Sequence, residues 1–266
     1  MPKAFWKGVI SFGMVVIPVK MYVATEVKSL SFHLLHKKCL TRPKQVLHCE
    51  KDKEYFSIKD TVRGYEYAKE QYLVLDEDDF KKVPVRTAHS INILGFVEAK
   101  TIDTIYYQSS HYIEPEELGV KPFALLNKVL TQSGRVGLAK VSFARREHLC
   151  ALRPLDDLMA LTTMYYQDEI VSHKDLKPVK PQLTEAEVKM AASLVEAMAA
   201  KFDPKDYKDE YVTALKAVVE AKLKGVKIKA PVEKPKAEVE DLMEALKASL
   251  AQARQKAKSK QPAGVR

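Results

Sequence analysis

Hydrophobic residues in the first 165 positions recur in short runs separated by polar turns, which is the pattern of β-strands. Runs of this kind, rich in β-branched and aromatic residues, occupy residues 5–25, 90–98, 136–143, 149–153 and 158–164. Residues 121–133 differ, because their apolar positions follow helical spacing and Gly134 follows them as a helix C-cap. Short strands at this spacing predict an antiparallel barrel or sandwich.

Residues 40–85 have a different pattern, in which charges interleave with aromatic side chains. This composition predicts an extended hairpin or arm with little core of its own. The acid run Asp76–Asp79 interrupts it and predicts a solvated turn that caps a short helix from Phe80.

Helical periodicity dominates the last third of the chain, after a linker that contains Pro178 and Pro181. Thr184 and Glu187 form a capping box, behind which lies an apolar stripe made by Val188, Ala191, Val195 and Met198. Further helices are predicted at about 207–224 and 237–257. The stretch from Ala251 to Arg266 contains five Lys and Arg residues and no acid, which predicts a flexible basic tail.

These patterns divide the chain into four parts. We expect residues 1–170 to form the barrel or sandwich core with an arm at about 33–85, residues 171–183 a linker, residues 184–230 a helical region, and residues 231–266 a C-terminal helix with a basic tail.

Charge, motifs and apolar run lengths favour some classes of function and argue against others. The chain has 44 Lys and Arg against 35 Asp and Glu, a net charge of +9, which favours phosphate-bearing partners. It has no G-x-x-x-x-G-K-[ST] or G-x-G-x-x-G motif, which argues against nucleotide hydrolysis and dinucleotide chemistry. The longest apolar run, residues 14–19, is too short to span a bilayer, so we expect no membrane association and a cytoplasmic location. Three cysteines do not make a disulfide scaffold.

Two clusters have residue types suited to chemistry. His36, Cys39, His48 and Cys49 are candidate zinc ligands, but no Cys-x-x-Cys is present, and a hairpin with free thiols and no metal is the preferred interpretation. In residues 145–154, His148 and Cys150 are too close in sequence for a nucleophile and its base. We interpret this segment as a strand whose arginines contact phosphate. No cofactor is predicted.

Several ordered stretches resemble the bacterial Ku family, the DNA end-binding proteins of non-homologous end joining. The resemblance begins with FWKGVISFGMVVIPVKMY at residues 5–22. It continues with FHLLH (32–36), VRGYEY (62–67), GLAKV (137–141), REHL (146–149), LRP (152–154), TMYY (163–166) and DEI (168–170). FDP (202–204), YKDEY (207–211), EAKLKG (220–225) and VEDLMEAL (239–246) complete it, so that it spans about residues 4–250.

The resemblance implies a mainly β fold with α, a Ku-type β-barrel core with an extended arm, C-terminal helices and a basic tail. It implies a nucleoid-associated homodimer whose ring is threaded by double-stranded DNA ends and which recruits an ATP-dependent DNA ligase, ligase D, for double-strand break repair. Charge and position then give the candidate DNA contacts: Lys37, Lys38, Arg42, Lys44, Lys51, Lys53, Lys59, Arg63, Arg145, Arg146, Arg153, Lys256, Lys258 and Lys260. The candidate ligase-docking residues are Tyr207, Tyr211, Leu215, Leu242, Met243 and Leu246.

Two other function classes stay open from the residues alone. One is a zinc-bearing regulatory or RNA-binding module built on the His and Cys residues of the arm. The other is an enzyme, such as a lyase with a Schiff-base lysine, although nothing selects one lysine among so many. The preferred prediction is a binding protein without catalytic activity.

Overall fold

The structure is a computed structural model that describes residues 3–83, 89–144, 146–177, 181–226 and 242–260, with the side chains of the last helix described through Gln255. The chain divides into two compact units, residues 1–173 and 174–266. The first unit contains the strands and the second the C-terminal helices.

Eleven strands and five α-helices lie within the described residues. The strands are β1 (Trp6–Phe12), β2 (Val15–Val23), β3 (Leu47–Cys49), β4 (Glu54–Phe56), β5 (Arg63–Ala68), β6 (Gln71–Leu75), β7 (Ser90–Glu98), β8 (Tyr107–Pro115), β9 (Arg135–Phe143), β10 (Arg146–Leu155) and β11 (Leu158–Met164). The helices are α1 (Glu77–Lys81), α2 (Val120–Ser133), α3 (Glu185–Ala197), α4 (Glu210–Leu223) and α5 (Leu242–Lys260).

Seven strands close into a barrel in the order β1-β2-β8-β11-β10-β9-β7. Six of the seven contacts around the barrel are antiparallel. An odd number of strands cannot alternate in direction all the way round, so the seventh contact, between β1 and β7, is parallel. The predicted β-barrel is therefore confirmed.

The barrel interior is filled by aliphatic side chains, and α2 covers it. Phe123, Leu126 and Leu130 of α2 join the buried cluster that includes Ile10 and Leu152. Asn127 fixes the helix in place, because its Nδ2 donates to the backbone carbonyls of Asp156 at 3.1 Å and Leu158 at 2.7 Å. The predicted helix and its C-cap are also confirmed, since Gly134 follows α2 with a φ of +64°.

Strand β8 was missed from the sequence. Only His111 and Ile113 of its nine residues are buried, so the apolar alternation is weak. Hydroxyl groups help to hold it in place: Ser110 Oγ and Thr162 Oγ1 of β11 are 3.0 Å apart and share a hydrogen bond.

The arm connects β2 to β7 and carries β3, β4, β5, β6 and α1. No residue from 24 to 83 is buried, so this segment has no core of its own. The strands pair as two separate antiparallel hairpins, β3–β4 and β5–β6. The helix predicted from Phe80 begins earlier, at Glu77, because Asp76 caps it: its side chain accepts from the Asp79 N–H at 2.8 Å.

After the arm, the backbone at His89 lies close to β1, at a point where β1 requires glycine. The Val9 N–H donates to the His89 carbonyl at 3.0 Å. A Cβ on Gly8 would lie 2.2 Å from that carbonyl oxygen, so no other residue fits without moving the backbone.

In the second unit, α3 lies against α5, and its sequence-predicted stripe is corrected. Of the predicted stripe, Val188, Val195 and Met198 are exposed and only Ala191 is half-buried. Met190 and Leu194 are also half-buried. Both faces of α3 carry apolar residues, so periodicity alone could not select the packed one. The cap formed by Thr184 and Glu187 is confirmed.

The C-terminal helix differs from its predicted bounds. The tail predicted to be flexible from Ala251 is helical as far as Lys260, whereas residues 227–241 and 261–266 lie outside the described part of the chain. Helix α4 starts at Glu210 and not at Tyr207. Among the described residues, no helix combines the length and the apolar character that crossing a bilayer requires.

Candidate nucleic-acid interface

The arm contains a segment of cations without acids. Between Glu26 and Glu50 there are five Lys and Arg residues and no carboxylate. Lys37 and Lys38 lie in a tight turn, which two backbone bonds close: the His36 N–H donates to the Thr41 carbonyl at 2.9 Å and the Leu40 N–H to the His36 carbonyl at 2.8 Å. The turn therefore presents two adjacent ammonium groups to solvent.

Three further candidate lysines lie at defined turns of the arm. Lys51 and Lys53 belong to the turn between β3 and β4, where Lys53 has a φ of +56° and its N–H donates to the Cys49 carbonyl at 2.8 Å. Lys59 sits in a 3₁₀ turn capped by the Ser57 hydroxyl, which accepts from the Lys59 N–H at 3.2 Å. All three side chains are exposed.

Lysine side chains of the arm fall into a free and a neutralised group. No ion pair to a described carboxylate involves Lys37, Lys38, Lys44, Lys51, Lys53 or Lys59. In α1, by contrast, Lys81 pairs with Asp78 at 2.7 Å and Lys82 with Asp79 at 3.0 Å. The free group is therefore available to anions, and the α1 pair is already compensated.

The two arm arginines are held by neighbours. Arg63 Nη2 is 3.7 Å from a Glu77 oxygen, and its guanidinium lies over the Phe80 ring, 5.0 Å from the centroid. The Arg42 guanidinium donates to His33 Nδ1. Each guanidinium group therefore already contacts a neighbouring side chain, whereas none of the free lysines is in an ion pair with a described carboxylate.

The barrel arginines are not equivalent. Arg146 forms an ion pair with Glu169, which raises the pKa of Arg146 and lowers that of the carboxyl. Arg153 on β10 is exposed, and among the described residues it has no ion-pair partner. Arg145 lies outside the described residues. The backbones of Lys256, Lys258 and Lys260 belong to α5, and their side chains are outside the described part.

The two cysteines of the arm, Cys39 and Cys49, form hydrogen bonds with different partners. Cys39 Sγ lies 3.0 Å from His36 Nδ1 and 2.9 Å from the Thr41 hydroxyl, and these hydrogen bonds, led by that of Thr41, lower the pKa of the Cys39 thiol to about 7. Cys49 instead donates to Asp52 at 3.2 Å. No group of three or more His, Cys, Asp or Glu residues within the described segments is arranged to hold a metal.

Cys150 is the least reactive thiol described. It is fully buried in the barrel, its Sγ donates to the Ala139 carbonyl at 3.2 Å, and burial raises its pKa to about 12. At neutral pH the group is a protonated thiol without a route to solvent, so it does not serve as a nucleophile.

A cluster of rings includes His148, which lies two residues before this thiol on β10. The Phe143 ring stacks on His148 at 4.3 Å, and His111 is 5.6 Å from the same ring. Burial lowers the pKa of both histidines, and each has a buried ring nitrogen without a hydrogen-bond partner. The cluster is therefore packed as neutral rings.

The candidate docking residues of the second unit differ in exposure. Tyr207 and Tyr211 are 67% and 74% exposed, and Tyr207 stacks on Phe202 at 5.6 Å. Leu215, Met243 and Leu246 are half-buried, whereas Leu242 is exposed. The tyrosines thus offer more free apolar surface than the leucines.

One cation was missed from the sequence. Lys28 belongs to the same carboxylate-free segment as Lys37 and Lys38, and it is exposed. The absence of acids from residue 27 to 49, and not the local density of lysine, is the signal that would have found it.

Comparison with known proteins gives a consistent result. A family model described as "Ku70/Ku80 beta-barrel domain" matches residues 11–190. The chain is similar to "Non-homologous end joining protein Ku" of Koribacter versatilis, 39% identical over 253 residues that cover 94% of this chain and 87% of the relative. The protein of the same name from Solibacter usitatus is 39% identical over 98% of this chain and 97% of its own length. The one from Archaeoglobus fulgidus is 39% identical over 93% and 98%. Because the family model covers most of the seven-stranded barrel and these relatives align with more than nine-tenths of this chain, the chain belongs to the Ku family.

Proposed function

We propose that this protein binds the ends of double-stranded DNA without sequence preference, as a ring-shaped homodimer, in non-homologous end joining. The observation that carries the proposal is the arm: residues 24–83 contain no buried residue but carry unpaired cations in defined turns. Family membership and the names of its relatives support the same role.

Phosphate contacts suit this arrangement. The free lysines lie in turns and loops of the arm, outside its strands and α1, and phosphate contacts at such positions need only charge and position. Binding through the backbone gives affinity without base readout. A protein that acts on any broken end needs this property, because the sequence at a break is arbitrary.

We propose that a second copy of the chain packs against the exposed apolar side chains of the arm. The hairpin β5–β6 exposes Tyr65, Tyr67, Tyr72 and Leu73, each by more than half of its surface. An isolated hairpin is at best marginally stable in water, so apolar side chains at this density favour burial against another subunit. A two-fold pair of arms would close a cationic ring around a duplex.

We assign the C-terminal helical unit to recruitment of an ATP-dependent DNA ligase, ligase D. The exposed Tyr207 and Tyr211 support this, since aromatic side chains dominate the centres of protein interfaces. The protein itself would not act as an enzyme. The only buried thiol among the described residues, that of Cys150, has its pKa raised to about 12 by burial and therefore stays protonated at neutral pH.

Competition between DNA forms tests the threading. A labelled blunt duplex bound to the protein should be displaced by linear plasmid after digestion, and not by the same mass of covalently closed plasmid. A second arm of the experiment blocks both ends of a preloaded duplex with streptavidin, which should trap the protein at high salt. Equal competition by the closed and the linear plasmid would contradict the proposal.

Ligase recruitment is tested separately with full-length chains. Tyr207→Ala with Tyr211→Ala should weaken capture of purified ligase D by about tenfold or more and leave DNA-end binding unchanged. Tyr112→Ala, which removes an exposed tyrosine of the barrel, is the matched control. Unchanged ligase capture by the double variant would move the docking site away from these tyrosines.

A further inference from the structure

The barrel carries an open apolar groove that the proposed function does not use. It lies between α2 and the end of the β1–β2 hairpin and has a volume of about 480 Å³. Its walls include Phe12, Val15, Phe96, Leu125, Val129 and Arg135. This volume lies within the range of clefts that bind small molecules or a few side chains of a peptide.

One wall is a row of α2 side chains held rigid from below. Leu126 and Leu130 are buried in the barrel core, which fixes the rotation of the helix. Their neighbours Leu125 and Val129, one turn apart, are 65% and 50% exposed and face the groove. The i, i+4 spacing gives a continuous apolar ridge about one helical turn long.

The opposite wall is aromatic and belongs to the sheet. Phe12 and Val15 are cross-strand partners at the end of the β1–β2 hairpin. Phe96 of β7 meets Phe12 edge to face, with ring centroids 6.4 Å apart and planes at 85°. Both walls therefore consist of packed secondary structure, so that the groove needs no rearrangement to admit an apolar side chain.

One cation, Arg135, lines the groove, and Lys121 and Lys128 neighbour its residue Leu125 at the i−4 and i+3 positions of α2. Helix α2 carries Lys121 and Lys128 and no carboxylate in its 14 residues, and Arg135 lines the groove at the start of β9. None of the three forms an ion pair with a described carboxylate. Glu98, the cross-strand partner of Arg135, is instead engaged by Lys100 at 3.0 Å.

We propose that this groove is a docking site for an amphipathic helix of a partner protein, whose leucine-type side chains enter between α2 and the hairpin and whose carboxylates meet Lys121, Lys128 and Arg135. A helix in a groove buries apolar side chains at i, i+3, i+4 and i+7, which fits a slot with apolar side chains on both walls. Nucleic acid fits it less well, because apolar walls would desolvate phosphate without hydrogen bonds. The site lies on the barrel and is independent of the arm's proposed role.

A defined peptide tests the proposal with the full-length protein. The probe is a fluorescein-labelled synthetic helix of about 14 residues, with leucine at the i, i+3, i+4 and i+7 positions and glutamate on the flanks. A second peptide has lysine in place of every glutamate. Fluorescence anisotropy should show saturable binding of the glutamate peptide, at least about tenfold tighter than that of the lysine peptide.

Variants locate the binding. Val129→Glu and Leu125→Glu should each weaken the glutamate peptide by about tenfold or more, because a carboxylate then occupies the apolar ridge among the probe's own charges. The matched control is Leu118→Glu, since Leu118 is 90% exposed in the turn before α2 and outside the groove. Melting by circular dichroism confirms folding. A benzophenone on the peptide, with cross-links mapped by mass spectrometry, identifies the peptide's binding site on the wild-type chain.

Each other outcome overturns the proposal. Equal binding of both peptides, or equal loss in Leu118→Glu, would mean adhesion without a site. Displacement of the peptide by a duplex would make the groove part of the DNA interface. Loss of self-association in Val129→Glu would make it a contact between copies of this chain. Cross-links outside α2 and the β1–β2 hairpin would place the peptide elsewhere.

Discussion

Replacing Lys37 and Lys38 by alanine removes the two adjacent ammonium groups at the turn of the carboxylate-free segment. Each phosphate neutralised by a cation gives a slope of about −0.9 in log K against log salt. A homodimer loses four cations in this variant, so the slope should become shallower by up to about 3.6. Between 50 and 200 mM salt, the wild type should then lose about 150-fold more affinity than the variant.

The matched control uses two lysines of the same arm that are already compensated. Lys81→Ala with Lys82→Ala removes the same net charge, but Asp78 and Asp79 hold these ammonium groups at 2.7 and 3.0 Å. Its slope should change by less than about 1. The measurement is anisotropy of a labelled blunt duplex titrated at several salt concentrations, with circular dichroism to confirm folding.

Two results would refute the reasoning. If both double variants flatten the slope equally, affinity follows net charge and the turn has no special position on the DNA. If Lys37→Ala with Lys38→Ala keeps the wild-type slope, these lysines contact no phosphate, and the DNA path must avoid this turn.

Three further predictions concern the barrel and the thiols. Leu152→Ala should lower the free energy of unfolding by about 2–5 kcal/mol in urea titration, because Leu152 is fully buried and the change leaves a cavity. Burial holds the pKa of His111 and His148 below 6.5, so the folded state binds fewer protons than the unfolded state, and stability should fall as the pH drops below about 6.5. Changing both to phenylalanine should flatten that dependence, measured as urea midpoints across the pH range; an unchanged slope would contradict it. With a thiol-reactive chromophore near pH 8, Cys39 should react in the folded protein and Cys150 only after unfolding; rapid labelling of Cys150 would show that the barrel opens readily.

Sequence patterns predicted a barrel or sandwich because most of its strands are short runs rich in apolar and β-branched residues, and its helix has clear ends. Residues 121–133 and Gly134 are an example: the apolar spacing and the cap agree, and α2 forms there. The sequence did not predict strand β8, because pairing with β2 and β11, and not its own apolar content, defines it. The sequence also did not predict which face of α3 packs, because both of its faces carry apolar residues.

The candidate site was less predictable than the fold. Charge identifies Arg63 and Arg146 as cations, but only the structure shows that Glu77 and Glu169 hold them. Conversely, Lys37 and Lys38 become adjacent exposed cations because backbone hydrogen bonds close the turn at residues 36–41. Sequence periodicity does not predict these bonds. Ion pairs and turn closure depend on contacts between distant or irregular segments, and local residue patterns do not encode these.

The parallel contact between β1 and β7 has a consequence for folding. Its partners are separated along the chain by all of β2 and the arm, and the β2–β8 contact on the other side of the β1–β2 hairpin spans the arm as well, whereas β9, β10 and β11 are joined by short turns. Local hairpins form faster than contacts that must first close a long loop, so we expect the β1–β2 hairpin to join the rest of the barrel last. Until these two contacts form, β1, β2, β7 and β8 each have an unprotected edge in the nascent chain, which is where misassembly of this protein would begin.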